Sequence, residues 1–594
     1  MKNSKKLILT FFLVFALILT GCGNSTGEEK KAGNGSFEGT GTGFGGEIKA
    51  TVVLKENKID SIKVDGPEET AAIGGAAIPK LVDAIVKSQS TKIDTITGAT
   101  ATTKGVIEAV NAALVAGGLD PAKMGPAADA KPQEGKKSEA DLNQTCDIVI
   151  VGAGGAGMTA AINAKQAGKN VIIVEKGALE GGNTSRAAGG MNAAETHYQK
   201  EKKIDDTVQQ FIDDTMKGGH NKNNPELVKV LAEKSSESID WLDSIGAKLS
   251  DITLAGGATY PRTHRPLDAD GKVIPVGSFL VKMLKAKVDE LSIPMITNAR
   301  VNKVLLENGK AAGIEAETKE GTLTVKAPVV IVCSGGFGSS NDKIKKYRPD
   351  LDGYVSTNAP TIEGDAIDFL GAIGADFVDM DQIQTHPTVV QKNGALISES
   401  LRGDGAILLN QKGQRFVDEM ETRDTVSAAI NQQPQKTAWI IVDKPLYDGS
   451  KLIQKYVKSG SLTEIKDAKA LADFLGADQK TVEESLSAWA AVVKAKEDKD
   501  FGHKNLDTVK SDLSTYPLYA GPVGPGIHHT MGGVKINPKA EVINTEGNPI
   551  PGLFAAGEVT GGVHGANRLG GNAVSDIITF GRIASASAVD YLGK

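Results

Sequence analysis

The chain is poor in cysteine. Its 594 residues include three cysteines, too few for a disulfide framework, and none has the Cys-x-x-Cys or Cys/His spacing of a metal site. A Cys-x-x-Cys-His run is also missing, which excludes covalent c-type haem. Cys146 and Cys333 adjoin apolar strand-like runs, and we expect them to be buried structural thiols. The sequence predicts no metal site.

One-sided charge and long apolar segments are missing as well. The formal net charge is −6, so nothing favours nucleic acid as a partner. The apolar run Leu7–Leu19 is shorter than the roughly 20 residues of a membrane-spanning helix. It follows a lysine-rich start and leads into residues 19–22 (Leu-Thr-Gly-Cys), an order typical of a secretory signal peptide.

The end of this signal resembles a bacterial lipobox, in which Cys22 becomes the lipidated mature N-terminus. An uncleaved N-terminal anchor is the alternative reading. In both cases we expect the rest of the chain outside the cytoplasm, tethered to a membrane face.

Glycine is abundant, with 69 residues, which suits phosphate-cradling loops and tight turns. The length predicts several domains, and changes in composition divide the chain. The predicted parts are a signal peptide, a flexible tether, a small α+β domain, a linker and a long α/β body, at residues 1–22, 23–36, 37–116, 117–143 and 144–594.

The small domain contains predicted strands at Ile48–Leu54 and Ile59–Val64, then a helix near Ile78–Ser88. Its most specific segment is Asp94–Thr100 (Asp-Thr-Ile-Thr-Gly-Ala-Thr), followed by a helix predicted to start near Thr102.

The segment Asp94–Thr100 resembles the flavinylation motif of FMN-binding domains. In that family a separate transferase esterifies the last threonine with the FMN phosphate. The resemblance therefore implies covalent FMN on Thr100 and an FMN transferase as a maturation partner. Gly98 and Ala99 leave the backbone open to a phosphate, and the amides of the following helix would face it. A Thr-Gly turn that caps a helix is the alternative.

The body opens with a dinucleotide-binding pattern. A buried apolar strand, 147–151, runs into the glycine-rich turn Gly152–Gly157, an alanine-rich helix and a second strand that ends at Glu175. In such βαβ units the glycines, here Gly152, Gly154 and Gly157, allow the close approach of a pyrophosphate. An acidic residue at the end of the second strand binds the ribose hydroxyls. NAD and FAD both satisfy this pattern.

Further runs resemble the fumarate reductase/succinate dehydrogenase flavoprotein family. They are Gly181–Ser185, Ala187–Asn192, Gly552–Glu558 and Gly561–Ala573. The resemblance implies FAD, bound non-covalently because no histidine stands at 183–185. The other positions that it assigns to FAD are Ala156, Asn183, Thr184, Gly189, Gly190, Asp365, His529, Glu558, Arg568, Ala573 and Val574.

The implied fold class is α/β. A Rossmann-like FAD-binding domain (144–380 and 529–594) would carry an inserted α+β clamp domain (381–528) that closes over the substrate. The small α+β FMN-binding domain would precede them.

Several blocks within the body resemble the soluble fumarate reductases related to flavocytochrome c, with urocanate reductases as relatives. Reduction of an alkene conjugated to carboxylates needs a hydride at one carbon and a proton at its neighbour. The resemblance implies that His386 and Ser398 hold one carboxylate, while His528 and Arg568 hold the other. His529 would lie against the flavin.

The same resemblance makes Arg423 the proton donor, re-protonated from solvent through Glu399 and Arg402. A guanidinium is a weak acid in water, so this role requires burial beside other cations. Four other histidines lack a matching motif and are expected to be structural: His197, His220, His264 and His503.

We therefore expect an exported reductase in which a membrane or extracellular donor reduces FMN, FMN reduces FAD, and FAD reduces fumarate to succinate. Urocanate, acrylate or methacrylate, and aryl acrylates are alternative substrates on the same scaffold, although His386 favours a second carboxylate. An alternative of another class is a non-catalytic flavin electron shuttle.

Overall fold

The computed structural model describes residues 33–125, 142–503 and 506–593. Cys22, with the predicted signal peptide and lipidation site, lies outside the described residues. So do residues 126–141, the centre of the predicted linker. Within the described ranges, no helix is both long enough and apolar enough to cross a membrane.

Residues 33–125, which we call the N-terminal domain, form an antiparallel three-stranded meander covered by helices. The strands are Gly35–Thr42, Glu47–Lys55 and Lys58–Asp65. A π-helical turn, two α-helices and a short 3-10 helix complete the domain at Ala71–Gly75, Ala76–Ser88, Thr100–Ala116 and Pro121–Lys123.

The first strand, Gly35–Thr42, was not predicted from the sequence. A Cβ atom on its Gly39 would lie 2.2 Å from the carbonyl oxygen of Ala109, and one on Gly41 would lie 2.1 Å from that of Gly105. The strand therefore packs against the Thr100–Ala116 helix through bare backbone. It lacks the apolar alternation by which strands are predicted, and it starts inside the expected tether.

The expected helix start near Thr102 is wrong by two residues. The helix begins at Thr100 itself, with Ala99 as N-cap and no side chain capping the end. Thr100 is exposed, so its hydroxyl lies beside the uncapped N-terminus.

The body (142–380 and 529–593) is built on a six-stranded sheet. Its strands, in spatial order, are Met295–Ile296, Val171–Val174, Ile148–Val151, Val329–Val332, Pro549–Ala555 and Glu541–Ile543. Neighbours pair in parallel except for the last, antiparallel edge strand. The central strands are buried on both faces, which explains their continuous Val/Ile runs. The fold is the predicted α/β type.

A four-stranded sheet and two small three-stranded sheets are attached to this core. The four-stranded sheet consists of Gln144–Thr145, Arg300–Glu307, Lys310–Thr318 and Gly321–Lys326. One small sheet consists of Met191–Asn192, Asp251–Thr253 and Thr263–Arg265. The other consists of Phe377–Val378, Gly533–Lys535 and Thr560–Gly561. The α-helices of the body are Gly155–Gln166, His197–Glu201, Val208–Gly218, Pro225–Glu233, Ser235–Ser244, Val276–Glu290, Asn341–Tyr347, Asp365–Gly371 and Asn572–Leu592. Short 3-10 helices lie at Thr184–Arg186 and Pro349–Leu351.

Residues 381–528, the inserted domain, surround a second six-stranded sheet. Its strands are Ala395–Leu396, Ile383–Val390, Leu518–Thr530, Ala438–Asp443, Ile407–Leu409 and Thr463–Ile465. Its α-helices are Ser400–Gly403, Arg423–Asn431, Lys444–Gly449, Lys451–Lys458, Ala468–Leu475 and Gln479–Ala495, with 3-10 turns at Pro434–Lys436 and Leu506–Thr508. Neighbouring residues such as Ile440 and Ile441 belong to separate cores on opposite faces of this sheet.

Candidate active site

An elongated cavity of about 690 Å³ lies where the three parts of the chain meet. One end is lined by the glycine-rich turn of the body. The other end is lined by the inserted domain, and the mouth is lined by Phe44 and by residues 67–71 of the N-terminal domain. Most site residues expected from the sequence lie along this single cavity.

The nucleotide end has the shape that a pyrophosphate requires. Gly152 has φ of +105°, and a Cβ atom there would lie 2.4 Å from the carbonyl oxygen of Cys333. The Gly155–Gln166 helix begins at this turn without a cap from its own N-cap residue. The N–H of Gly155 donates to Thr184 Oγ1 at 3.0 Å, so the following N–H groups of the first turn are the ones available to a phosphate. These residues fit a dinucleotide such as FAD.

Glu175 lines the same end of the cavity. Its carboxylate accepts hydrogen bonds from the backbone N–H groups of Ala153, at 2.8 Å, and Gly177, at 2.6 Å. Burial raises its pKa, although these hydrogen bonds oppose the shift. A carboxylate has about four acceptor positions, so two remain for ribose hydroxyls.

The other positions assigned to FAD also line the cavity, with one exception. Those that line it are Gly154, Ala156, Asn183, Thr184, Gly189, Gly190, Asp365, His529, Glu558, Arg568, Ala573 and Val574. Gly157 does not line it, which corrects the expectation that it contacts the cofactor. A Cβ atom on Gly157 would lie 2.0 Å from the carbonyl oxygen of Gly152, so its role is to let the helix approach the turn.

Several of these side chains already have protein partners. Asn183 donates to Glu558 Oε2 at 2.8 Å and to Asn358 Oδ1 at 2.6 Å. Asp365 forms ion pairs with Lys176, at 2.8 Å, and Arg300, at 2.6 Å. Asn183 and Asp365 are therefore positioned to shape the cofactor cradle as well as to contact a ligand.

At the opposite end, His386 and His528 face each other with ring centroids 5.2 Å apart. Nδ1 of His386 accepts the N–H of Thr388 at 3.3 Å, so the hydrogen of a neutral ring lies on Nε2. This Nε2 is buried and has no partner among the described residues. Burial, and then the charge of Arg423, lower the pKa of His386 well below its usual value. His386 is thus a neutral donor facing the cavity.

His528 and His529 both line the cavity, although successive strand residues normally point to opposite faces. The cause is a β-bulge. Gln384 pairs with His529 and Thr385 pairs with Ile527, so His528 is an extra residue without an opposite partner. Nδ1 of His528 lies 2.8 Å from the hydroxyl of Thr357, and burial followed by the charge of Arg423 lowers its pKa well below the usual value.

Arg423 and Glu399 form a short ion pair at this end. Nε of Arg423 donates to Glu399 Oε2 at 2.5 Å, and Arg402 Nη2 lies 3.6 Å from the same oxygen. Burial alone would raise the pKa of Glu399, but Arg423 and Arg402 outweigh it and lower the pKa to about 2. Arg402 does not line the cavity; it is fully buried behind Glu399, and burial lowers its pKa.

Arg568 stands beside Arg423, and Gln384 bridges the two guanidinium groups. Gln384 Oε1 accepts from Arg423 at 3.1 Å and from Arg568 at 3.2 Å. Burial, reinforced by the charge of Arg423, lowers the pKa of Arg568 to about 9. Two buried cations so close together form a site for an anion.

Comparisons with known proteins agree with this arrangement. Residues 147–574 match the FAD binding domain family, and residues 43–115 match the FMN-binding domain family. A fumarate reductase (cytochrome) from Shewanella frigidimarina is 44% identical over 76% of this chain and 78% of that protein. An NADH:fumarate oxidoreductase from Klebsiella pneumoniae is 39% identical over 91% of this chain, which spans only 57% of that protein.

The chain belongs to the FAD-binding flavoprotein family that includes these fumarate reductases. A urocanate reductase from Eggerthella lenta is 32% identical over 94% of this chain and 93% of that protein. The solved open conformation of a flavocytochrome c3 fumarate reductase is 39% identical, with a TM-score of 0.63, over 79% of this chain and 84% of that chain. The chain therefore carries an FAD-binding domain preceded by an FMN-binding domain.

Three hydroxyl groups of the inserted domain lie together at the cavity. Ser398 Oγ lies 2.9 Å from Ser400 Oγ, and the backbone N–H of Ser398 donates to the hydroxyl of Tyr456 at 3.1 Å. Ser398, Ser400 and Tyr456 all line the cavity.

Thr100 does not line the cavity, but it is connected to it. Two residues along, the Thr102 hydroxyl donates to Glu69 Oε2 at 2.6 Å, and Glu69 lines the cavity mouth. The exposed Thr100 hydroxyl and the uncapped helix end fit a covalently attached phosphate.

The N-terminal domain contacts the inserted domain at the mouth. Lys455 Nζ donates to the Thr70 hydroxyl at 2.6 Å, and Lys458 lies 3.6 Å from Glu68. Lys455 also lies over the ring of Phe44, 5.5 Å from its centroid. Opposite charges thus meet across this contact.

Several site residues were missed from the sequence. Gln384 could have been found, because it stands two residues before His386 on one strand and so shares its face. Tyr456 and Glu69 gave no such indication, since they reach the cavity only through the packing of distant segments. Neither did Asn358, which does not line the cavity but accepts a hydrogen bond from Asn183 at 2.6 Å.

Groups outside the cavity have structural partners. Asp418, Glu419 and His503 have the spacing of a possible metal site, but Arg415 holds Glu419 at 2.7 Å and 3.0 Å. Nδ1 of His503 lies 2.9 Å from Asp418. Burial raises the pKa of both Cys146 and Cys333 to about 12, as expected for structural thiols.

Proposed function

We propose that the protein is an exported, membrane-anchored reductase that converts fumarate to succinate. Electrons would enter through FMN on Thr100 and reach FAD in the body. The observation that carries the proposal is the buried Arg423–Glu399 pair, which opens into the same cavity as the nucleotide cradle.

The chain's own residues suit a dicarboxylate. Arg568 supplies a positive charge and His528 a ring nitrogen at one end, where one carboxylate would bind. Neutral His386 and the hydroxyl of Ser398 supply hydrogen-bond donors for the other carboxylate. The alkene would then be held beside Arg423.

When bound, FAD supplies the hydride that one alkene carbon receives. Arg423 would give a proton to the neighbouring carbon, so one hydride and one proton together convert fumarate to succinate. Its Nε is bound to Glu399 and its Nη1 to Gln384, whereas Nη2 has no hydrogen-bond partner in the described part of the chain. We assign the proton transfer to Nη2.

Glu399 and Arg402 would return a proton to Arg423. Glu399 contacts both guanidinium groups through one oxygen, and its low pKa keeps it ionised as the link between them. Arg402 lies on the side of Glu399 away from the cavity and donates to the carbonyl of Glu419. The order Arg423, Glu399 and Arg402 is the one that the proposed relay requires.

A substrate panel tests the proposal. Purified protein with both flavins is assayed with fumarate, urocanate, methacrylate and cinnamate, using a reduced viologen as donor. We expect the highest kcat/KM with fumarate. Turnover of urocanate without turnover of fumarate would contradict the dicarboxylate assignment and favour the urocanate reductase alternative, which the Eggerthella relative supports.

The proposed location rests on the lysine-rich start, the apolar run and Cys22. A Cys22→Ser variant has no cysteine to carry the lipid. It should either stay in the membrane through an uncleaved signal peptide or be lost from the lipidated protein of the membrane fraction. Intact mass of the membrane fraction distinguishes these outcomes, and a wild-type protein without a lipid mass increment would contradict the anchor.

A further inference from the structure

Tyr456 is a cavity residue with no counterpart among the site residues expected from the sequence. It lies on the Lys451–Lys458 helix of the inserted domain, is 8% exposed and lines the cavity. Its hydroxyl oxygen accepts the backbone N–H of Ser398 at 3.1 Å. This contact fixes the phenol next to a hydroxyl assigned to substrate binding.

Within residues 33–125, 142–503 and 506–593, the Tyr456 hydroxyl accepts this hydrogen bond and donates none. Burial raises the pKa of Tyr456, so the phenol stays protonated and remains a donor. A buried donor without a partner is costly, and a ligand acceptor would remove that cost.

Uncharged donors line the cavity together with Tyr456. Nε2 of His386 has no partner among the described residues, and in the hydroxyl pair of Ser398 and Ser400 one hydroxyl donates to the other. Lys451 and Lys455 of the Tyr456 helix also line the cavity, and Nζ of Lys455 donates to Thr70. A carboxylate has about four acceptor positions, so it can accept from Tyr456, from His386 and from the remaining serine hydroxyl. An uncharged or absent substituent would leave them unpaired.

We propose that Tyr456 donates a hydrogen bond to the substrate carboxylate held by His386 and Ser398, and so selects enoates with a second carboxylate. This inference rests on the proposed function and adds a specificity residue to it. Discrimination would follow from the unpaired donors that a monocarboxylate leaves behind.

The test is the Tyr456→Phe variant, which removes the hydroxyl and keeps the ring. We expect KM for fumarate to rise about 10-fold to 100-fold, as for loss of a hydrogen bond to a charged group, with a smaller change in kcat. KM for methacrylate, which has one carboxylate, should stay within about 2-fold, because it makes no use of this bond. Tyr447→Phe is the matched control, since Tyr447 stacks on Tyr519 outside the cavity.

A binding measurement separates this role from a structural one. Succinate is titrated into the oxidised protein and followed by the absorbance of FAD, without turnover. Weaker succinate binding with unchanged FAD content and thermal midpoint supports the inference. If Tyr456→Phe loses FAD, Tyr456→His, which keeps a ring donor, is measured instead and should retain part of the affinity.

Two outcomes would overturn the inference: unchanged succinate affinity in Tyr456→Phe, or equal losses with fumarate and methacrylate. Both outcomes can be distinguished from failure of the proposed function, because in that case the wild-type protein itself would not reduce fumarate.

Discussion

Arg423 donates from Nε to Glu399 at 2.5 Å, while its Nη2, at the cavity, has no hydrogen-bond partner among the residues that the structure describes. The carboxylate therefore orients the guanidinium and leaves one nitrogen directed to a ligand. Because Glu399 also contacts Arg402, a single buried acid stands between two buried cations. Loss of that acid should affect both stability and turnover.

Glu399→Gln should lower the thermal midpoint at pH 7, because two buried guanidinium groups lose their counter-ion. The pKa of Glu399 is about 2 in the folded protein against an ordinary value of 4.5. Its stabilising charge is thus fully present above pH 4.5 and is lost as pH falls from 4.5 toward 2. The difference in midpoint between wild type and variant should shrink over this range. A difference independent of pH would contradict the ion-pair assignment.

His386 and His528 should not titrate near neutral pH. Their pKa values lie well below 6.5, because burial and Arg423 oppose protonation. The plot of kcat/KM for fumarate against pH should therefore lack a step near pH 6.5. Since the unfolded chain protonates these rings below about pH 6.5, they also reduce stability as pH falls through that value.

Variants of His386 separate hydrogen bonding from charge. His386→Ala should raise KM for fumarate about 10-fold or more, whereas His386→Gln, which keeps an N–H donor, should recover part of the loss. His197→Gln, in an exposed ring that contacts Asp240, is the control. Equal KM values in all three variants would show that His386 does not bind substrate.

Thr100→Ala should remove covalent FMN and leave FAD in place. Intact mass should fall by the mass of FMN, and reduced viologen should still drive fumarate reduction if it reaches FAD directly. Thr95→Ala alters an exposed threonine in the same segment and should keep the FMN. Covalent FMN on Thr100→Ala would place the attachment elsewhere.

Lys455→Glu should slow electron transfer between the two flavins. It puts a negative charge beside Glu68 and Glu69 at the contact with the N-terminal domain. Stopped-flow absorbance should show FAD reduction slowed several-fold after FMN is reduced. Lys480→Glu, on an exposed helix face, is the control. Equal rates in both variants would mean that this contact is not the one used in transfer.

The fold of the body could be predicted because the residues that specify it follow one another closely in the sequence. A buried apolar strand, a glycine turn and a helix follow one another at 147–167, so the βαβ unit is visible in the sequence. The cradle formed by Gly152 and the position of Glu175 followed from this pattern.

What could not be predicted depends on contacts between distant segments. The Gly35–Thr42 strand lacks apolar alternation because the helix that covers it approaches bare glycines. The bulge at His528 depends on the pairing of Gln384 with His529 and of Thr385 with Ile527. The contact of Tyr456 with Ser398 joins a helix to a distant loop of the inserted domain. Gly157 matches the dinucleotide-binding motif, but its role is to let the helix approach the turn at Gly152.

The most direct test of the account is fumarate reduction by Arg423→Ala with a reduced viologen donor, beside Arg348→Ala, which alters a half-buried arginine paired with Asp350 outside the cavity. We expect kcat to fall about 10²-fold to 10⁴-fold in Arg423→Ala, as for loss of a general acid, with both flavin spectra unchanged. Arg348→Ala should match the wild type. Wild-type turnover by Arg423→Ala would contradict the assignment of Arg423 as the proton donor.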